Sequence, residues 1–302
     1  MATPAESREA PVAAAAAIPR SEAWPEAARC LPLVSVFLLI GFWPILAGIY
    51  GSWFDDKAYM EHGILVVPAA VYMAWDKRDA LRAVLPQPSA WGAGLVLCGA
   101  LVACVGILTQ WIWFGRMAFL VSLVGSIAAV CGWRMVRALG YPLATLLLMI
   151  TPPTFLFERL TLSLQLLASR LGELCLEALG FSVLREGNIL EMVGIKLSVE
   201  EACSGIRSLL AILFMCVLYN YFFVKGRALK TLLLMASVPI AILGNAVRII
   251  VTGIVGQYHP AWVSGAAHET LGYITVAAAA AGVVLTHILV LGIRRSWESH
   301  RA

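Results

Sequence analysis

The sequence predicts an all-α polytopic membrane protein of about eight transmembrane helices. Three observations predict it. Of 302 residues, 61% are hydrophobic and only 13% charged, more apolar surface than a soluble core can hide. Several apolar runs reach the length of about 20 residues that a bilayer crossing requires. Lys and Arg gather in every second connection between those runs, as the positive-inside rule demands of a multi-pass chain.

Taken in order, residues 1–29 are rich in Ala, Pro and Glu and lack periodicity. That composition predicts a disordered cytoplasmic tail ahead of one membrane domain over 30–302. The run 31–50 has no small-residue cleavage site and reads as an uncleaved first span. An acidic loop with Asp55, Asp56, Glu61 and His62 leads to a short second span, 64–75. The third and fourth spans are 91–108 and 114–132, and the fifth is 139–157, with Pro152-Pro153 near its end. Leu160, Leu164, Leu167, Leu171 and Leu174 then recur at helical spacing, with Arg170, Glu173 and Glu177 on another side. This predicts an amphipathic helix on the outer membrane surface, ended by Gly180. Residues 181–199 alternate and contain Glu186-Gly187-Asn188 and Gly194, the pattern of a small β-meander. Spans at 206–224, 232–255 and 271–293 complete the chain.

With the tail in the cytoplasm, the inner connections hold Lys77, Arg78 and Arg82, then Arg134 and Arg137, then Lys225, Arg227 and Lys230, then Arg294 and Arg295. The large outer segment 158–201 carries seven Glu against three Arg and one Lys, a net of −3. Both termini are therefore expected inside.

That orientation gathers three residues at similar depth on the outer side. Cys203 opens the sixth span, in Glu201-Ala202-Cys203-Ser204-Gly205-Ile206-Arg207-Ser208. Ser198 with Glu201 fits a capping box, so a helix is expected to start here. A helix start favours a thiolate, which Glu200 and Glu201 oppose, so an activated Cys203 needs cationic help. Arg248 lies about two turns below the outer end of the seventh span. A guanidinium there needs a polar cavity or a partner, and Asn245, three residues earlier, could orient it. His268 stands just before the eighth span, with His259 and His62 as further candidates. Arg207 reads as a second cation or a packing residue. A thiol, a guanidinium and an imidazole are the parts of acyl transfer: nucleophile, oxyanion stabiliser and proton carrier.

Seven cysteines without CxxC spacing indicate no disulfide framework and no zinc site. Cys98, Cys104, Cys131, Cys175 and Cys216 read as packing residues. No cofactor, metal or nucleic-acid partner is expected. Two rival classes remain, a multi-pass transporter with Arg248 in its cavity and a non-catalytic scaffold in polysaccharide export.

The Cys203 block, then Pro239-Ile240-Ala241-Ile242 with Asn245 and Arg248, then His268 with Gly272, resembles the exosortase/archaeosortase family. His62-Gly63, Tyr141-Pro142 and Arg185-Glu186-Gly187-Asn188 fit the same family. The resemblance implies a bacterial inner-membrane cysteine peptidase or transpeptidase. Its partners would be membrane-tethered secreted proteins with a C-terminal sorting signal, often Pro-Glu-Pro-like. It also implies Cys203, Arg248 and His268 as the catalytic set, supported by Arg207, Asn245, Ser204, Glu201 and His62. Glu61 departs from the small polar residue expected before His62, and no further C-terminal domain is expected after the last span.

Overall fold

A computed structural model describes residues 20–55, 58–199, 205–263 and 265–299 of the chain. Cys203, Ser204, Glu201 and the first part of the expected tail lie outside the described residues. So does Glu201 of the capping box expected with Ser198.

Among the described residues five helices are long and apolar enough to cross a membrane: α5 (Ala90–Leu108), α6 (Ile112–Cys131), α10 (Ile206–Phe223), α11 (Arg227–Tyr258) and α12 (Gly265–Ser299). The count reaches seven if each of two bent helix pairs is one span. Each of the eight apolar segments read from the sequence is helical, but three depart from a straight crossing. The first is α1 (Arg20–Gly41) and α2 (Trp43–Ser52), bent by 69° at Phe42, where Pro44 opens the second helix. Helix α1 also begins before the apolar run, inside the segment expected to be a tail. The second segment is α3 (Gly63–Asp76), whose 14 residues reach about 21 Å, short of a hydrocarbon core of about 30 Å. The third is α8 (Gly140–Thr145), continued by a 3₁₀ turn over Leu146–Met149. It breaks at Pro152-Pro153 and turns by 77° into α9 (Thr154–Ala178). Short helices α4 (Arg78–Arg82) and α7 (Trp133–Ala138) lie in two of the basic connections.

The large apolar side chains on these helices face outward in number, among them Phe37, Trp91, Leu97, Met235, Tyr273 and Ile288. Small residues let the helix backbones meet, as in membrane bundles generally. A Cβ on Gly92 of α5 would fall 2.2 Å from the backbone N of Ala129 in α6. One on Gly125 of α6 would fall 2.8 Å from the backbone N of Val96.

The expected β-meander is present as a three-stranded antiparallel sheet, β1 (Val183–Glu186), β2 (Ile189–Met192) and β3 (Ile195–Ser198). Register pairs Leu190 with Arg185 and with Leu197. Its inner face packs Leu190, Met192, Leu197 and Val199 against Ala168 and Leu176 of α9 and Ile249 of α11. Glycines on α9 and α11 admit that packing. A Cβ on Gly172 would meet Ile249 Cγ2 at 2.9 Å, and one on Gly253 would meet Met192 Sδ at 3.2 Å. At the margin of that same face Arg185, opposite Leu190 in the register, pairs with Glu173 of α9 at 2.6 Å, and on the other face of the sheet Lys196 pairs with Glu191, which holds the lysine above its usual value. The sheet is therefore docked on the α9–α11 pair and delivers the chain at Val199 to the segment containing Cys203.

Gly92→Leu forces a side chain into the backbone of α6 and should cost at least the ~1–3 kcal/mol of an overpacked interior. Gly94→Leu, with nothing within 4 Å of its Cβ position, should leave the melting temperature of the detergent-solubilised protein unchanged.

Candidate active site

Two of the last three helices meet through one polar contact. Arg248 lies on α11 ten residues before its end, and His268 in the first turn of α12. Arg248 Nη2 is 2.6 Å from His268 Nε2 and 3.4 Å from the His268 carbonyl oxygen. A guanidinium can only donate, so Nε2 accepts, and the proton of a neutral His268 sits on Nδ1. His268 is buried and Arg248 half-buried. Arg248 Nε is buried and has no hydrogen-bond partner among the described residues.

Glycine makes the room. Gly272 follows His268 by one turn, and a Cβ there would meet Arg248 Cζ and Nη2 at 3.0 Å each. The guanidinium lies flat against the bare α12 backbone. Asn245, buried one turn before Arg248, touches the start of α10, where a Cβ on Gly205 would stand 3.0 Å from Asn245 Nδ2. Gly205 has φ +71° and precedes the first residue of α10, a left-handed conformation that glycine adopts without strain. Leu164 of α9 and Leu209 of α10 close a narrow cavity with Gly205, Ile242 and Asn245. Thus α9, α10, α11 and α12 converge where the chain emerges two residues after Cys203.

Arg207, His62 and His259 hold other contacts. Arg207 Nε is 3.1 Å from Glu61 Oε1, and its guanidinium lies over the Tyr59 ring at 5.2 Å. Tyr59 in turn stacks on Phe157 at the start of α9. His62 is buried, with Nε2 3.1 Å from the Leu148 carbonyl oxygen and its ring against Phe214. Since a carbonyl only accepts, Nε2 of His62 donates. His259 is exposed at the end of α11, against Trp262, eleven residues and about 16 Å along the helix from Arg248. Among the other cysteines, Cys131 and Cys216 are buried, whereas Cys98, Cys104 and Cys175 lie exposed on helix surfaces. No group of His, Cys, Asp or Glu that could hold a metal ion occurs among the described residues.

A helical multi-pass chain whose last two helices share an arginine–histidine contact belongs to the class of membrane proteins with a polar site built between spans. A model of the transmembrane exosortase family (Exosortase_EpsH) matches residues 53–285, so the chain belongs to that family. No curated protein and no solved structure matches it.

Burial holds the His62 imidazole below its usual value of 6.5, with the Leu148 hydrogen bond opposing. A buried neutral histidine stabilises the fold fully above its unfolded-state value, and that contribution is lost as pH falls from there toward the lowered folded-state value. Melting temperature in nanodiscs should therefore decline as pH drops below about 6.5, and His62→Gln should flatten part of that decline. An identical slope in wild type and variant would contradict this origin.

Proposed function

We propose that this protein is a membrane-embedded cysteine protease or transpeptidase. It cleaves the C-terminal sorting signal of secreted proteins at the outer face of the bacterial inner membrane. The observation that carries the reading is the Arg248–His268 contact lying beside Asn245, against which Gly205 packs, two residues from Cys203 in the chain. Family membership supports it, because exosortases in general are cysteine transpeptidases.

In this reading the substrate's transmembrane tail lies in the bilayer beside the bundle, with both termini of the enzyme in the cytoplasm and α9 along the outer surface. Eight apolar segments then cross. The Cys203 sulfur attacks the scissile carbonyl, and Arg248 receives the charge that develops on its oxygen. That oxyanion competes with neutral imidazole for the guanidinium. As Arg248 Nη2 turns to it, Nε2 of His268 is released to take the thiol proton. The C–N bond breaks, the leaving amine takes that proton from His268, and a thioester remains on Cys203. Water or an amine-bearing acceptor then attacks the thioester and restores the thiol. Asn245 and Ser204 support the set, with Glu201 at the same turn. Arg207 is occupied by Glu61 and holds the outer loop.

Cys203→Ala should abolish processing of a co-expressed secreted protein bearing a sorting signal while the enzyme still inserts. Continued processing would remove the nucleophile from the scheme. Arg248→Lys should reduce the rate by roughly 10²–10³, the loss typical of one oxyanion donor, because an ammonium cannot reproduce the fork. A membrane-impermeant thiol reagent should label Cys203 from outside in intact cells, with labelling rising with pH.

A further inference from the structure

The break at Pro152-Pro153 is built from residues that the chemistry above does not use. In an α-helix each N–H donates to the carbonyl four residues back, and proline has no N–H. Were the helix to run on in α register, Pro152 and Pro153 would withhold the donors for the carbonyls of Leu148 and Met149; it ends instead in the 3₁₀ turn Leu146–Met149 with Ile150 extended, and the same two carbonyls are left without a main-chain donor among the described residues. Those two carbonyls are the ones met by side chains from elsewhere. His62 Nε2 lies 3.1 Å from the Leu148 oxygen, and Trp53 Nε1 lies 3.5 Å from the Met149 oxygen. Between them and the prolines, Thr151 Oγ1 accepts from Arg116 Nη1 at 2.7 Å, and Arg116 Nη2 reaches the Gly48 carbonyl at 3.3 Å. Gly63 admits the indole, since a Cβ there would fall 2.2 Å from Trp53 Nε1. The match of two missing donors to two supplied ones, in register, is what distinguishes this arrangement from scattered polar contacts.

We infer that Trp53 and His62 replace the N–H groups missing from Pro152 and Pro153 and that, with Arg116 bracing Thr151 between them, the three form a clasp that fixes the 77° turn into α9. The three are positioning residues. Helix α9 carries Leu164, which closes the cavity at Gly205 and Asn245, and Gly172, which lies on Ile249 one residue beyond Arg248. The clasp therefore sets where α9 presses on the helices that hold the site. In functional terms this rests on the peptidase reading, but its structural part does not.

The test compares His62→Gln, whose amide can donate from the same reach, with His62→Leu, which cannot donate, and adds Trp53→Phe. Amide hydrogen exchange of the full-length protein in nanodiscs is read over residues 146–158, alongside processing of a sorting-signal substrate. His62→Leu should raise exchange at Met149–Thr151 and in the first turn of α9 at least tenfold and lower processing. Trp53→Phe should do the same to a smaller extent, and His62→Gln should restore wild-type values of both. Failure of His62→Leu to accumulate while His62→Gln folds with wild-type exchange also supports the clasp. Wild-type exchange in both His62→Leu and Trp53→Phe overturns it. So does failure of His62→Gln to accumulate, or wild-type exchange in His62→Gln with processing abolished, since the latter makes the imidazole itself a participant in the chemistry. If no substrate is processed by the wild-type enzyme, the peptidase reading fails while the exchange result still decides the clasp.

Discussion

A guanidinium placed two to three turns inside an apolar helix governs the architecture of this protein. At the centre of a membrane helix an arginine costs at least about 2.5–3.5 kcal/mol, a cost reduced near the interface and by good partners. Arg248 meets it by reaching across to α12, where an imidazole nitrogen and a main-chain oxygen accept from one Nη. That contact requires α11 and α12 to approach until the guanidinium lies on a bare backbone, and Gly272 supplies the bare backbone. The same helix turn must keep Asn245 against Gly205, so α10 is drawn to the same point. The close approach of the last three helices follows from housing one charged group.

The adjoining face of α11 serves a different need. Ile249, Gly253 and Gly256 look toward α9 and the sheet, and each glycine accepts a neighbour that a side chain would exclude. Small residues at contacts are the usual means of packing helices where lipid offers no hydrophobic drive. Here they also seat a sheet whose inner strand face is apolar. The sheet thereby gains a rigid floor, and its last strand, ending at Ser198, hands the chain to the Cys203 segment from a fixed position. Gly205, held at φ +71° against Asn245, fixes the other end of that segment.

The parts of this arrangement legible in the sequence are those in which a residue contradicts its surroundings. Arg248 and Asn245 stand out in an apolar run, and the alternation of 181–199 differs from everything before it, so the polar helix face and the three strands were both readable. The bends were not, although their signals were present. Pro44 follows Phe42 by two residues, and Pro152-Pro153 strips two donors, yet an apolar run containing proline reads as one span when only hydropathy is weighed. Whether a proline kinks a helix or breaks it depends on what satisfies the released carbonyls, and Trp53 and His62, like the Arg116 that braces Thr151, come from distant sequence. His62 illustrates the same limit. Its residue type suggested proton transfer, whereas its position makes it a donor to a carbonyl that only the folded chain reveals. Helix α1 begins at Arg20, ahead of its apolar run, a start that hydropathy does not mark.

The two arginines near the start of α10 show how similar charges acquire different work. Arg207 sits in the first turn, closest in sequence to Cys203, and by proximity alone would be the stronger candidate to steady a thiolate. It is paired with Glu61 and backed by Tyr59, with about half of its side chain exposed, so its field is met by an opposing carboxylate and by solvent. Arg248 is farther in sequence but lies in a less solvated place, and its strongest contact is to a neutral ring that can yield it. An electrostatic catalyst must be held in advance yet remain able to favour the developing charge over its resting partner. A carboxylate partner would fail that requirement, because it binds the guanidinium about as well as an oxyanion does. In the proposed reaction an imidazole would satisfy it and, once released, would become the base, so the resting contact would couple the arrival of negative charge on the substrate to the appearance of a proton acceptor beside it.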